Sequence, residues 1–161
     1  MPVSLVTIQI HEMFMRRAIE LAAAAERTGE VPVGAVVVHD GRIIGEGFNS
    51  PIADRDPTAH AEIVAMRRAA QALGNYRLDG ATIYATLEPC IMCAGAIVHA
   101  RVGRLVFGAR DLRFGGVRSK FRLADSELLN HKVDVVEGVL GAECTQILQR
   151  FFTQRRILKG D

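Results

Sequence analysis

Residues 81–108 read ATIYATLEPCIMCAGAIVHARVGRLVFG, and this stretch decides the fold. Ala81 to Thr86 is short, apolar and rich in β-branched and aromatic side chains, which predicts a strand. Pro89 suits the start of a helix, where its missing N–H has no partner to lose. The helix is expected from about Cys90 to Ala100, and Arg104 to Gly108 returns as a second strand. A strand, a helix and a strand in succession imply an α/β layered fold with a partly parallel sheet.

Working outward, the same alternation continues. Val33 to His39 is an apolar run fit for a buried strand, Asp40-Gly41 is a hairpin-turn signal, and Arg42 to Asn49 is the returning strand. Before it, Phe14, Ala18, Leu21 and Ala25 form one apolar face of a helix over Ile8 to Arg27, ended by Gly29 and Pro32. Pro51 to Pro57 reads as loop. Asp56 or Thr58 is placed to cap a helix running to about Leu73, stopped by Gly74. Val133 to Glu137 is a fifth strand, and Ala142 to Lys159 a last helix with Cys144, Leu148, Phe151 and Leu158 on its inner face. With no linker, repeat or low-complexity segment, residues 1–161 are expected to form one domain.

Composition supports this reading. The chain has 161 residues, 49% hydrophobic and 24% charged, which excludes a disordered chain. Its longest nearly uncharged apolar stretch, Cys90 to Val98, is far too short to span a membrane. The first residues, MPVSLVTIQIHEMF, lack a basic segment before an apolar run, so no secretory signal is expected and the cytoplasm is the default compartment. Three cysteines cannot all pair and are too few for a disulfide scaffold, which leaves core residues, nucleophiles or metal ligands.

Charge is divided unevenly along the chain. Residues 1–100 carry a net −3 and residues 101–161 a net +5. Seven basic residues lie between Arg101 and Arg122, with Asp111 as the one acid among them. Arg150, Arg155, Arg156 and Lys159 form a second cluster. A charge run is most often a solvated face; the sharper reading is a contact surface for phosphates.

Two segments carry chemistry: His60-Ala61-Glu62 and Pro89-Cys90-Ile91-Met92-Cys93. In a chain of this composition chance supplies His-x-Glu roughly one time in three but Cys-x-x-Cys only about one time in twenty-five, so the cysteines are the stronger signal. Both lie at the start of a predicted helix, where amide donors and the dipole favour thiolates. One neutral imidazole, His60, and two thiolates, Cys90 and Cys93, balance the charge of Zn²⁺ and leave a fourth tetrahedral position open for water. The alternatives are a redox pair, plain core cysteines, or a closed structural site with Cys144 as fourth ligand; at a core-face position, Cys144 reads instead as a buried apolar residue. His11, His39, His99 and His131 read as ordinary surface or capping histidines. Glu62 separates the functions, because a structural zinc has no need of a nearby carboxylate, whereas hydrolysis needs a base for the water. Residues two apart on a regular helix diverge by about 200°, so His60 and Glu62 converge only if His60 sits at the very start of the helix.

These segments resemble the signature of the cytidine deaminase superfamily, and most closely its tRNA-specific adenosine deaminases; His-x-Glu followed by Pro-Cys-x-x-Cys is that family's known pattern. The similarity covers most of the chain, including Val31 to Val36, Gly45 to Asn49, Asp56 to Glu62, Asn75 to Leu78, Thr86 to Ala96, Val106 to Asp111, Asn130-His131 and the helix holding Phe151-Phe152. One loop departs: where the family often reads Lys and then Gly-Ala-Ala-Gly-Ser, this chain has Arg113 and then Gly115-Gly116-Val117-Arg118-Ser119.

The resemblance implies a three-layer α/β/α sandwich around a five-stranded mixed sheet, and a homodimer that acts on adenosine at the wobble position of a tRNA anticodon stem-loop. A deaminase of free guanine, cytosine or a nucleoside is the alternative, and it would not need the basic clusters. By residue, His60, Cys90 and Cys93 would hold Zn²⁺ and Glu62 would shuttle protons. The Asn49 side chain and the Ala61 amide would bond the flipped base, and Phe152 would stack on a flanking base while Phe151 is core. Glu88 reads as a support for the metal-bearing turn. Asp111 either caps a turn or pairs with a neighbouring arginine, or it accepts a hydrogen bond from a ribose 2′-OH.

Overall fold

A computed structural model describes residues 3–160. Met1, Pro2 and Asp161, at the ends of the expected 1–161 domain, lie outside the described residues, as does the part of the N-terminal reading that falls on Met1 and Pro2.

The elements follow in chain order: α1 (Leu5–Arg27), β1 (Gly34–His39), β2 (Arg42–Phe48), α2 (Pro51–Asp54), α3 (Ala61–Leu73), β3 (Thr82–Leu87), α4 (Ile91–His99), β4 (Arg104–Ala109), β5 (Asp134–Glu137) and α5 (Gly141–Leu158). The five strands form one sheet in the order β2-β1-β3-β4-β5. β1 pairs antiparallel with β2 and β3, while β3–β4 and β4–β5 are parallel. The sheet is mixed because a two-residue turn reverses β1 into β2, whereas α4 carries the chain from β3 back to a parallel β4. Asp40 (φ 51°) and Gly41 (φ 75°) supply the left-handed backbone that this tight hairpin requires.

Strand alternation sorts the core into two layers. Ala35 and Val37 of β1, Ile83 and Ala85 of β3, and Leu105 and Phe107 of β4 face one side with Ala61, Ile63, Cys93 and Ile97 of α3 and α4. Val36, Val38, Tyr84 and Val106 face the other side with Phe14, Met15 and Ala18 of α1 and Cys144 of α5. This is the three-layer α/β/α architecture expected. Helix α3 sits directly on β2 because Gly45 and Gly47 leave no side chain in the way: a Cβ at Gly47 would lie 2.5 Å from the Ala61 carbonyl. That close seat fixes the N-terminus of α3, where the chemistry-bearing residues are.

Several local expectations are corrected. Residues 51–54 form the short helix α2, because the buried Glu30 carboxylate accepts from the amides of Ile52 (3.3 Å) and Ala53 (2.9 Å). Neither Asp56 nor Thr58 caps α3; Asp56 Oδ1 instead accepts from the amide (2.8 Å) and hydroxyl (2.7 Å) of Thr58, and His60 is the cap. His11 is buried, its Nδ1 2.8 Å from the Tyr84 hydroxyl. Its spacing of three and seven from Phe14 and Ala18 places it on the inner face of α1. His131 is half-buried and its Nε2 donates to the Val102 carbonyl (2.7 Å). Leu158 is 86% exposed, because every residue of α5 beyond Phe151 lies outside the core. Among the described residues no helix is long and apolar enough to cross a membrane.

Candidate active site

Two helices aim their N-termini at one point. His60 is the N-cap of α3 with extended backbone (φ −71°, ψ 153°), and Cys90 is the N-cap of α4 (φ −71°, ψ 178°). Cys93 lies one turn into α4 and is buried. Because His60 is not itself helical, the angular divergence from Glu62 expected of a regular helix does not arise. His60 Nδ1 lies 3.6 Å from Cys90 Sγ and 3.5 Å from Cys93 Sγ. The three ligand atoms all fall within 4.8 Å of one another. Tetrahedral zinc with bonds of about 2.0–2.1 Å to nitrogen and about 2.3 Å to sulfur needs N···S separations of roughly 3.6 Å, so the donor set fits zinc.

The three groups are electrostatically coupled to one another. The Cys90 thiol is pulled down to about 4 by the hydrogen bond from Cys93 and by His60, which favours its thiolate form. His60 is raised above its ordinary value by its hydrogen bond to Cys90. Cys93, competing with Cys90 for one proton and buried, is pushed up. Cys144 sits in the opposite core layer, with its thiol pushed up to about 12 by burial, and is not part of this cluster.

Glu62 is 4% exposed, and burial lifts its carboxyl above the ordinary carboxylate range. A carboxyl held there exchanges protons more readily near neutral pH than an exposed one, as general acid–base work requires. It lines a cavity of about 590 Å³ together with His60, Cys90 and Asn49, roofed by Val33, Leu148 and Phe152. Asn49 follows the last residue of β2, and its Oδ1 accepts from the Ala61 amide (2.9 Å). The Ala61 N–H that the resemblance offered to a base is thus spent on Asn49, and its part in this structure is to orient the side-chain amide of that cavity-lining residue. Phe151 is buried and Phe152 is 46% exposed, at the cavity wall.

Asp111 and Glu88 also line the cavity. Asp111 Oδ1 accepts from the amides of Arg113 and Phe114 (3.1 Å each), so this side chain caps a turn. Arg110 pairs with Glu137 (2.9 Å) rather than with Asp111. Glu88 is 2% exposed and, among the described residues, accepts only from backbone amides of the 111–119 loop and from the Ser119 hydroxyl. Burial pushes its carboxyl up, but the Ser119 hydroxyl and the amides of Arg118, Ser119 and Asp111 outweigh that and hold it below the usual range.

The basic run is partly spent within the fold. Arg104 pairs with Asp134 (2.8 Å), and Arg118 (3.0 Å) and Arg122 (3.1 Å) share Asp125. Folding nevertheless joins the two clusters. A groove of about 760 Å³ is lined by Arg110 and Arg113 from the end of β4 and by Arg155, Arg156 and Lys159 from α5, and it shares Leu148 and Phe152 with the cavity. Glu30, which holds α2, and the apolar lining residues Val31 and Leu87 were not singled out from the sequence; apolar residues at strand ends carry no local mark that distinguishes a cavity wall from a core.

The model of the MafB19-like deaminase family matches residues 9–156. The chain is 54% identical over 149 residues to the tRNA-specific adenosine deaminase of Haemophilus influenzae, covering 92% of this chain and 86% of the relative. It is 46% identical over 145 residues to that of Bacillus subtilis, covering 90% of each. A solved structure from work on A-to-I editing by tRNA:A34 deaminases at the wobble position superposes with a TM-score of 0.82 at 46% identity, over 84% of this chain and 99% of that one. A His, Cys, Cys and Glu constellation at two helix N-termini, on this fold and with these relatives, places the chain in the MafB19-like deaminase family, among the tRNA-specific adenosine deaminases.

Proposed function

We propose that this protein is a cytoplasmic homodimer that binds one zinc ion per chain and hydrolyses adenosine to inosine at the wobble position of a tRNA anticodon stem-loop. The observation that carries this reading is the continuity of the Glu62 cavity with a groove holding five cations. A free base needs the cavity; only a phosphate-bearing substrate uses the groove.

His60, Cys90 and Cys93 would hold the metal. Zinc bound there would supply Lewis acidity that lowers the pKa of a water toward about 7. Glu62 takes a proton from the attacking water and delivers it to N1 of adenine, beside the reacting C6; it then takes the proton of the new C6 hydroxyl and gives it to the amino nitrogen, which leaves as ammonia while C6 becomes the carbonyl of inosine. Asn49 Nδ2 meets an acceptor on the purine edge, held in place by the Ala61 amide. Phe152 stacks on a base next to the flipped one. Asp111 Oδ2, at the cavity wall beside the turn that Oδ1 caps, offers an acceptor to a ribose 2′-OH. The target leaves its stack most cheaply in a single-stranded loop, which is what an anticodon provides. Leu112 (72% exposed), Phe114 (64%) and Phe121 (52%) leave apolar surface that a second copy would cover, in keeping with the positive mean hydropathy of +0.16. Light scattering is expected to return twice the 17.6 kDa chain mass; a single chain mass at working concentration refutes the dimer.

The decisive experiment mixes the protein with an adenosine-containing anticodon stem-loop and, separately, with free adenosine, guanine and cytosine. Inosine from the stem-loop alone is expected, and turnover of a free base alone overturns the reading. Reversing charge with Arg155→Glu and Arg156→Glu is expected to raise KM for the stem-loop by roughly tenfold or more and to flatten its dependence on salt, with zinc content unchanged.

A further inference from the structure

One buried carboxylate has no place among the groups that bind or convert substrate. Glu88 lies at the junction between β3 and the turn that bears Cys90 and Cys93. Among the described residues no cationic side chain is bonded to it. Instead its Oε2 accepts from three successive amides, those of Val117 (3.1 Å), Arg118 (2.8 Å) and Ser119 (2.9 Å). Its Oε1 accepts from the Asp111 amide (3.1 Å) and from the Ser119 hydroxyl. The five donors come from both ends of the 111–119 loop, whose first residues, Asp111 to Phe114, form one wall of the cavity.

The loop meets the metal-bearing turn at backbone level too. The Gly116 amide donates to the Pro89 carbonyl (2.8 Å), and Gly115 forms an antiparallel bridge with Cys90. Side chains are excluded from this contact. A Cβ at Gly115 would stand 2.4 Å from the Glu88 carboxyl, and one at Gly116 would stand 2.9 Å from the Ile91 amide nitrogen. The sequence that departs from the family's usual loop thus keeps glycine where the loop touches Glu88.

We propose that Glu88 is a positioning residue: its carboxylate clamps the cavity-lining loop 111–119 to the turn that carries Cys90 and Cys93, and so sets the spacing between the substrate-facing wall and the metal ligands. The consequence for substrate rests on the deaminase reading above; the clamp itself does not. A carboxylate can satisfy five donors because both oxygens only accept. A glutamine that keeps its oxygen on the Val117, Arg118 and Ser119 amides turns its NH₂ group toward the Asp111 amide, which also donates, and so leaves at least that N–H unpaired. The clamp therefore loosens at the loop end while the rest of the turn keeps its own backbone bonds.

The test uses Glu88→Gln and, with Glu88 intact, Gly115→Ala. Hydrogen exchange read by mass spectrometry is expected to show peptides over 111–119 exchanging roughly tenfold or more faster in both variants, with peptides of β1 and β3 unchanged. Both variants keep one zinc per chain. For the stem-loop, KM rises by roughly tenfold or more while kcat changes far less, the signature of a misplaced binding wall rather than lost chemistry. The double variant is no worse than the worse single one, because both release the same loop. If Glu88→Gln does not fold, Ser119→Ala, which removes one donor, reads the same exchange and KM effects in smaller degree. Unchanged exchange over 111–119 overturns the proposal. So does loss of zinc with a fall in kcat at constant KM, which would make Glu88 a support of the metal turn alone. If the wild-type protein makes no inosine from the stem-loop but the exchange result holds, the substrate reading fails and the clamp stands.

Discussion

Glu62→Gln is expected to yield a folded protein with one zinc per chain that binds the anticodon stem-loop as well as the wild type and turns over roughly 10²–10⁴-fold more slowly. The size follows from what the side chain does. Glu62 is a buried carboxylate that lines the cavity, and the proposed reaction moves protons through it at the water, at N1 and at the departing nitrogen. Glutamine keeps the shape and some hydrogen bonding but cannot take or give a proton at any of these points. The fold should not suffer. Burial raises the folded-state pKa of Glu62. A carboxyl whose pKa is raised on folding binds more protons folded than unfolded, so its ionisation costs stability as pH rises from its unfolded value through its folded one. A neutral glutamine removes that term. The readouts are stem-loop affinity, metal content and single-turnover inosine formation. Near-normal turnover in the variant shows that another base does the work.

Replacing either sulfur ligand is expected to have a comparable effect by a different route. Cys90→Ser or Cys93→Ser should lower zinc from one per chain to near zero and abolish inosine formation. The N···S separations of 3.6 and 3.5 Å show how closely the three ligand atoms already sit, and a hydroxyl is both a harder donor and far less acidic than a thiol drawn down to about 4. Cys144→Ala is the control. Its sulfur lies in the core layer beneath α1 and α5, so the variant loses some packing but keeps zinc and activity. Metal analysis of the three variants decides the matter. Full zinc content in Cys90→Ser excludes the assigned ligand set, and zinc lost from Cys144→Ala would falsify the open, three-ligand site.

The parts of this protein legible in the sequence are those whose cause is local. The apolar face Phe14, Ala18, Leu21 and Ala25 follows from the helical repeat and is buried throughout. Asp40-Gly41 encodes a turn that only left-handed backbone can close, and it joins β1 to β2. Cys90 and Cys93 stand three residues apart at a proline-led helix start, and His60 two residues before Glu62, so the chemistry of the donor set was visible before any fold was known. What the sequence left open depended on groups that meet only when the sheet assembles. Glu30 caps α2 from more than twenty residues away, so Pro51 to Pro57 carried only a loop signature. His60 became the cap of α3 because Asp56 was taken by Thr58 and the Ala61 amide by Asn49. Leu158 satisfied the repeat of α5 but stands beyond the point where the core ends. Arg113 and Arg155, more than forty residues apart in the chain, came to line one groove when the end of β4 met α5. The Glu88 carboxylate found its donors in a loop that nothing in its neighbours announces. Periodicity and spacing encode which face and which donor type; long-range contacts, which have no period, decide which polar group satisfies which.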